Sequence, residues 1–558
     1  MNPKRRAIFT IGFAVFFCLI LSRNAFALVD SDGDLLPNGW ELRYFGSFTA
    51  ANPFDDPDGD SLTNLDERFA ETDPTVYTLT SSLSERALLK LFQGKTFLYF
   101  WEQSQPPYYF THDNANYNGG SGSENFNSIA AIGFSMMAYV IADQNDWIKH
   151  VDAYNRIQAA LSRLVQLQEQ SFDVQCASPA SQANRHGYLY HFIDNQGMRA
   201  ASNVEISTID QALLTAGALL AASYYPGTEV AQLANQLFTN TQWNWLFDYS
   251  QNFFYQGWLE NCVTGGTYEG GDPLDHWNRY SELLILLFQG MSASPQTGVG
   301  PIAWQVLAGN SSVMFPNEWA HLFPGDQPQN FAFLPNMPTV SQAAGYTNTD
   351  SEFHYIHAGS IHNHQYSHLF VDFRNRPDGF RETDFFANSI NASMANRQFC
   401  IQLNAHAFGG DPQSTDPYLV QPYETYGPDS WGLLAGIVSD GNYRVMQPIV
   451  MPWDNFSAEN IAANSDSGTV FLYAPLVQPI ICVVHCRYPC SHCRGHRNPC
   501  CDDCDECVHQ GWLATIRVSV PSVYDISHGI REYRTSCNQR RYHNQHRGVC
   551  LVIRLQAA

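Results

Sequence analysis

Several stretches of this chain are apolar or small on almost every side of a helix, which restricts how they can fold. Apolar, Ala and Gly residues recur at intervals of three and four in "NSIAAIGFSMMAYVIADQ", "IDQALLTAGALLAASYY" and "YSELLILLFQG". This spacing is the period of an α-helix. Because such helices lack a broad polar face, they must be buried between other helices. We therefore expect two concentric layers of helices, the inner set wrapped by the outer.

The predicted fold class is all-α, an (α/α)6 toroid at residues 84–476 with a small module before it at 28–78. A plain bundle or a solenoid is the alternative, but no repeat of fixed period is visible. A chain of 558 residues exceeds what one hydrophobic core usually organises. One large domain with smaller attachments is therefore expected.

The N-terminus has the pattern of an export signal. Lys4, Arg5 and Arg6 precede an apolar run, and Ala25-Phe26-Ala27 provides the small residues that a signal peptidase accepts. We expect residues 1–27 to be a signal peptide and the mature protein to be secreted or periplasmic. No later stretch is long and apolar enough to span a bilayer, and we expect a monomer.

The charge balance narrows the classes of partner. Thirty Lys and Arg against 53 Asp and Glu give a formal net charge of -23, which repels phosphate backbones. Nucleic acid is therefore not an expected partner. Aromatic residues make up 14% of the chain, and their rings suit either a core or a surface that stacks on sugars.

Two short acidic stretches, "DSDGDLLPNGWE" and "DPDGDSLTNLDE", share the spacing of calcium loops. Calcium prefers six to eight hard oxygen ligands, which positions 1, 3, 5, 9 and 12 of such a loop supply. Unliganded acidic turns, the alternative, have no need of this register. The loops resemble thrombospondin type 3-like repeats, and we expect structural Ca²⁺ on Asp30, Asp32, Asp34, Asn38, Glu41, Asp56, Asp58, Asp60, Asn64 and Glu67.

Two acids precede buried helices in the large domain. Ser207-Thr208-Ile209-Asp210 is a capping-box pattern that predicts a helix from Ser207 and gives Asp210 a structural task. Glu205 lies outside that helix, with no local structural task. Glu282 comes just before an apolar run, where interaction with the helix dipole is the alternative role. As a pair, the two carboxylates match the acid and base that glycoside cleavage requires.

A histidine cluster, "HNHQYSHLFVDFR", adds polar side chains at helical spacing. His364 and His368 stand four residues apart, but no accompanying Glu makes the pattern metallopeptidase-like. We expect hydrogen bonds to sugar hydroxyls or buried, satisfied histidines rather than a metal, and no cofactor for catalysis.

Six ordered blocks make the chain similar to the glycoamylase-like family of bacterial (α/α)6 carbohydrate-active proteins, which includes endo-β-1,2-glucanases. They include "HGYLYHFIDNQGMRAASNVEISTIDQALLTAGAL", "HQYSHLFVDFRN" and "YGPDSWGLLAGIVSDGNY", and the resemblance covers about 85–476. It implies an exported glycoside hydrolase that cleaves a glucan, plausibly β-1,2-linked, with inversion. A non-catalytic carbohydrate-binding or surface-assembly protein is the alternative.

The resemblance also implies roles for individual residues. The Glu of the "E-x-S-x-I-D" block falls on Glu205 as general acid, and the acid of "Y-S-E" falls on Glu282 as second catalytic or orienting carboxylate. Asp372 is a weaker candidate for the base. The implied sugar-binding residues are Tyr280, Gln365, His368, Trp431 and Tyr443.

The tail departs from the family pattern. Ten of the 14 cysteines lie between Cys482 and Cys550, where helical periodicity disappears. The spacing Cys490-x-x-Cys493 is compatible with zinc or a disulfide-rich cap. Because a toroid closes only when its last helices meet its first, we instead favour an out-of-frame or degenerate tail at 477–558, which could leave the chain inactive.

Overall fold

The computed structural model describes residues 29–115, 126–173, 178–262, 268–278, 280–309, 360–374 and 431–437. Shorter described pieces are 320–321, 354–355, 443–445 and parts of 385–400. The predicted signal peptide and the tail at 477–558 lie outside these residues. The chain divides into two compact units, Met1–Leu164 and Val165–Ala558.

The described part of the first unit contains five α-helices, the last of which continues past the end of the unit. They are α1 (Asn38–Phe45), α2 (Asn64–Ala70), α3 (Glu85–Glu102), α4 (Ile129–Gln144) and α5 (His150–Gln168). A short antiparallel pair, β1 (Ser104–Gln105) and β2 (Phe110–Thr111), follows α3, and β3 (Asn127–Ser128) precedes α4. Thr63, Ser84 and Ser128 cap α2, α3 and α4, each accepting a backbone N–H three residues later.

The acidic module shares a core with the helices that follow it. Phe69 of α2 is 1% exposed and stacks edge-on against Trp147 with ring centroids 5.0 Å apart. A Cβ on Gly94 of α3 would lie 2.2 Å from Cγ of Phe69, so these two helices approach more closely than a side chain permits. The division at 78–84 that the sequence predicts therefore does not separate two cores.

The second unit begins with short strands and then continues with helices. The strands before its first complete helix are β4 (Asn184–Arg185), β5 (Tyr188–Leu189), β6 (Phe192–Ile193) and β7 (Ile206–Ser207). Its helices are α6 (Thr208–Tyr224), α7 (Glu229–Asn240), α8 (Leu284–Ser292), α9 (Ile302–Gly309) and α10 (His362–Phe370). The remaining strands are β8 (Phe247–Asp248), β9 (Phe253–Phe254), β10 (Gly257–Cys262), β11 (Tyr268–Pro273), β12 (Ala320–His321), β13 (His354–Tyr355), β14 (Ala435–Ile437) and β15 (Tyr443–Val445).

The described part is rich in helix, as the sequence predicts, and α6 is buried on nearly all sides. Gln289 of α8 donates a side-chain hydrogen bond to the carbonyl oxygen of Ala212 at 2.7 Å, which fixes the contact between α8 and α6. Closure of the helices into a toroid stays a prediction. None of the helices among the described residues has the length and apolar composition to cross a bilayer.

A three-stranded antiparallel sheet, ordered β11-β10-β7, was not predicted from the sequence. It pairs Gly257 with Ser207 and Trp258 with Ile206, so it reaches the start of α6. The Gly and Pro residues in "YEGGDP" conceal the strand pattern. A Cβ on Gly257 would lie 2.1 Å from the carbonyl oxygen of Ile206, which only glycine avoids.

We predict that Gly257→Ala lowers the free energy of unfolding by about 1–3 kcal/mol, because the added methyl group forces β10 away from β7. Gly39→Ala is the matched control, since a Cβ there meets no atom within 4 Å. Urea denaturation of both variants measures the difference. Equal stability of Gly257→Ala and the parent chain would contradict the close approach.

Candidate functional site

Glu205, His191, Asp210 and Glu282 form a charged cluster where α6 and α8 begin. Ser207 caps α6 and accepts the backbone N–H of Asp210, so the helix starts where the sequence predicts. Glu205 lies just before β7, outside the helix, and Glu282 lies two residues before α8. Both residues therefore immediately precede the N-terminal end of a helix or of the strand that leads into one.

The segment that carries Glu282 is attached to the start of α6 through Trp277. The indole Nε1 of Trp277 donates to the hydroxyl oxygen of Thr208 at 3.0 Å. The same hydroxyl donates to the carbonyl oxygen of Tyr255 at 2.8 Å. Ser367 of α10 donates to the backbone oxygen of Glu282 at 3.0 Å. These bonds bring three separate parts of the chain to one end of α6.

His191 binds two of the acids. Its Nδ1 lies 2.7 Å from Oε1 of Glu205, and its Nε2 lies 3.5 Å from Oδ1 of Asp210. The backbone N–H of His191 also donates to the backbone oxygen of Glu205 at 2.9 Å. The other oxygen of Asp210 hydrogen bonds to the Ser207 hydroxyl. Asp210 thus bonds to the hydroxyl of the capping serine, rather than to a free backbone N–H as the capping-box pattern predicts, and it also faces the cluster.

The two candidate catalytic acids have pKa values shifted in opposite directions. For Glu282, loss of solvent is the largest cause and Asp210 adds to it, so that the pKa rises to about 8 despite the charge of His191. For Glu205, burial would raise the pKa, but the hydrogen bond and charge of His191, with the charge of Arg199, outweigh it and lower the pKa. At neutral pH Glu282 is therefore protonated and Glu205 is ionised.

Arg199 anchors the loop that leads to Glu205. Its guanidinium group, 1% exposed, donates to the backbone oxygens of Val204 and Ser202 and to the side-chain oxygen of Gln182, each at 2.8 Å. Because Val204 immediately precedes Glu205, its bond to Arg199 fixes the backbone next to the catalytic candidate. Sequence reasoning missed both His191 and Arg199, although both lie within the quoted block that begins "HGYLYHFIDNQGMRAAS".

The predicted sugar-binding residues are mostly enclosed by protein. Tyr280 is 2% exposed, Gln365 0% and Trp431 5%, which argues against direct contact with a sugar. Tyr280 stacks parallel to Phe385, and burial raises its pKa to about 12. The side chain of Tyr443 lies outside the described residues.

Two members of the histidine cluster, His362 and His368, are uncharged at neutral pH. Nε2 of His368 lies 2.6 Å from the hydroxyl of Ser389. Burial lowers the pKa values of His362 and His368 to about 4. Asp372 accepts two hydrogen bonds from the guanidinium group of Arg374, at 2.7 and 2.9 Å, which holds this carboxylate on its own loop. Its role as base stays a prediction.

Each acidic loop of the first unit encloses a buried glutamate. Ligand atoms of Asp30, Asp32 and Asp34 lie within 4.8 Å of one another, as do those of Asp56, Asp58 and Asp60. Glu41 and Glu67, at position 12, are 0% exposed. Among the described residues, Oε2 of Glu41 has no hydrogen-bond partner and Glu67 has only a weak interaction with the Thr72 hydroxyl.

Burial is the main cause that raises the pKa of Glu67 to about 7, and the charges of Asp58 and Asp60 add to it. Burial, then Asp32 and Asp34, likewise raises the pKa of Glu41. A buried carboxylate beside other carboxylates is costly unless a cation compensates it. These residues therefore fit a hard divalent cation.

The two asparagines at position 9 differ. Oδ1 of Asn38 accepts the backbone N–H of Ser31 at 2.8 Å, and its Nδ2 donates to the Ser31 hydroxyl at 2.7 Å. Asn64 donates to the backbone oxygen of Asn52 but leaves its buried Oδ1 without a hydrogen-bond partner among the described residues. Asn38 therefore closes its loop, whereas Asn64 keeps an oxygen for a ligand.

We predict that Glu282→Gln stabilises the protein increasingly as the pH rises. A carboxyl group whose folded pKa is raised contributes stability below its ordinary value of 4.5 that is lost as pH rises through about 8. Glutamine retains the shape without the charge. Unfolding free energies at pH 5 and pH 9 should differ more in the parent chain than in the variant; parallel pH curves would contradict the raised pKa.

A family model described as "Putative glucoamylase", of the glycoamylase family, matches residues 339–478. The match ends beside the predicted break at 477. Much of the matched segment lies outside the described residues, including the quoted Gly-rich stretch from 424 to 430. This family match therefore rests on a different part of the sequence from the cluster at 191–282.

A curated relative, the exo beta-1,2-glucooligosaccharide sophorohydrolase (non-reducing end) of Parabacteroides distasonis, is 21% identical over 393 residues. The alignment covers 67% of this chain and 46% of that protein, so the chain spans less than half of the relative's length.

Two solved structures are also similar. The endo-beta-1,2-glucanase of Chitinophaga pinensis, in complex with sophorotriose and glucose, is 19% identical, with a TM-score of 0.42 over 66% of this chain and 75% of that one. The beta-1,2-glucanase of Parabacteroides distasonis is 18% identical, with a TM-score of 0.44 over 67% of this chain and 47% of that one. The family match confirms the resemblance to the glycoamylase-like family that the ordered sequence blocks predict.

Proposed function

We propose that this protein is an exported glycoside hydrolase that cleaves a glucan, with β-1,2-glucan as the leading substrate. The observation that carries the proposal is the opposite ionisation of Glu205 and Glu282 around one histidine. Pairs of carboxyl groups whose environments separate their pKa values are typical of acid and base catalysis. The β-1,2 linkage follows the names of the similar proteins.

The ionisation favours a reversal of the roles implied by the family resemblance. Glu282 keeps its proton at neutral pH and is suited to protonate the glycosidic oxygen as general acid. Glu205 is ionised and is suited to remove a proton from the attacking water. Attack by that water on the anomeric carbon breaks the glycosidic bond and inverts its configuration. An (α/α)6 toroid is the fold proposed to support this site.

We predict that the purified chain produces new reducing ends from linear β-1,2-glucan and that Glu205→Gln or Glu282→Gln lowers kcat by about 10²–10⁴-fold. Circular dichroism checks that each variant is folded. If a folded parent chain is silent toward a broad panel of glucans, or binds a glucan without turnover and unchanged by Glu205→Gln, the hydrolase proposal is wrong.

The pH dependence of kcat/KM should be bell-shaped. Activity should fall at low pH as Glu205 gains a proton, at a pH below the ordinary glutamate pKa of 4.5. It should fall at high pH as Glu282 loses its proton near pH 8. Kinetics from pH 3 to 10 on one substrate test both limbs. A basic limb that survives in Glu282→Gln would show that another group is the acid.

We also propose that the acidic loops bind structural Ca²⁺, held by their Asp triads with Glu41 and Glu67 and, in the second loop, Asn64. The bound ion would neutralise the buried carboxylates and satisfy their oxygens. Because Phe69 of α2 packs against α3 and Trp147, the ion would stabilise the core of the first unit rather than a detached spacer.

We predict that Ca²⁺ at about 100 times its Kd stabilises the full chain by about 2.7 kcal/mol for each loop that binds it, seen as a higher Tm than in chelator. Glu67→Gln should remove the gain that the second loop supplies while leaving the calcium-free protein no less stable, since a buried charge is lost. Asp55→Asn, an exposed acid just outside the register, is the matched control and should keep the gain. Equal Tm values with and without Ca²⁺ would refute the assignment.

A further inference from the structure

His191 is held between two carboxylates through opposite edges of its ring. Glu205 lies 2.7 Å from Nδ1 and Asp210 lies 3.5 Å from Nε2. A neutral imidazole has one N–H and can donate to only one of them, whereas the imidazolium donates to both. The side chain of His191 is 23% exposed, and the two acids lie beside its two ring nitrogens.

The backbone fixes this arrangement independently of the side chains. Tyr190 and Ile206 form an antiparallel bridge, and the backbone N–H of His191 donates to the backbone oxygen of Glu205. The ring of His191 also stacks on Phe192, with centroids 3.9 Å apart. The backbone therefore keeps His191 beside Glu205, and the stacking on Phe192 orients its ring.

We propose that His191 is a positioning residue, which as the imidazolium orients Glu205 in its ionised form and sets the charge balance between Glu205 and Glu282. This inference rests on the proposed function. His191 does not exchange a proton with the substrate; it acts through the two carboxylates. Its positive charge stabilises the ionised base, and the negative charge of Asp210 stabilises the protonated acid.

The charged and titratable groups that face the cluster agree with this assignment. Arg199 acts on Glu205 from the loop before β7, and Asp210 acts on Glu282 from α6. On α10, burial lowers the pKa values of His362 and His368 to about 4, so these rings are neutral at the pH where Glu282 titrates. His191 and Arg199 are thus the cations that lower the pKa values of the candidate acids.

Substitutions of His191 and of its partner Asp210 should move the pH profile in different ways. In His191→Asn, loss of the positive charge raises the pKa of Glu205 and of Glu282, so both limbs of kcat/KM should shift upward by about one pH unit. In Asp210→Asn, loss of the negative charge should shift the basic limb downward. A residue that only maintains the fold would lower the rate without moving either limb.

His186→Asn is the matched control. This exposed histidine lies between β4 and β5, has a positive φ of 52° that asparagine tolerates, and contacts Gln242 and Trp245 rather than the cluster. Its pH profile should coincide with that of the parent chain. Unmoved limbs in His191→Asn would overturn the inference, and if that variant does not fold, an unmoved basic limb in Asp210→Asn would overturn it.

A measurement without substrate separates this inference from the proposed activity. In protein labelled with ¹³C at the glutamate carboxyl carbon, NMR titrations assigned with Glu205→Gln and Glu282→Gln report both carboxyl groups directly. If the pKa values of both carboxyl groups rise in His191→Asn and no glucan is cleaved, the inference is supported and the hydrolase proposal is refuted. Cleavage with unshifted carboxyl titrations would support the hydrolase and refute the role of His191.

Discussion

The hydrogen bond between His191 and Glu205 is the interaction on which the candidate active site depends. At 2.7 Å it joins the strand segment at 188–193 to the loop before α6, and it offsets the cost of burying the carboxylate. Asp210 and Glu282 then extend the same cluster to α6 and α8. One imidazole thus interacts with three parts of the chain that are well separated in sequence.

The sequence indicated the helices well because their signals are local. Ser207 and Asp210 predicted the start of α6, and the apolar run after Glu282 became buried α8. The sheet β11-β10-β7 was missed because its pairing depends on a close backbone approach at Gly257, which leaves no pattern of side chains. The roles of the two acids likewise depend on partners, His191 and Asp210, that periodicity does not reveal.

The predicted sugar contacts also show what a sequence pattern leaves undetermined. Family blocks identify residues that matter but do not separate those that touch a ligand from those that support it. Tyr280 and Gln365 lie within the quoted blocks and are enclosed by protein. The calcium register, by contrast, singles out Glu41 and Glu67, and both are buried at the ends of their loops.

The anchoring of Arg199 leaves room for variation beside the catalytic candidates. Two of its acceptors are main-chain oxygens, at Ser202 and Val204, which any amino acid at those positions would supply. The side chains of Ser202 and Asn203 are exposed and carry none of this anchor. Selection, or a designed library, can diversify the side chains of these two positions without disturbing the anchor that holds Glu205 in place.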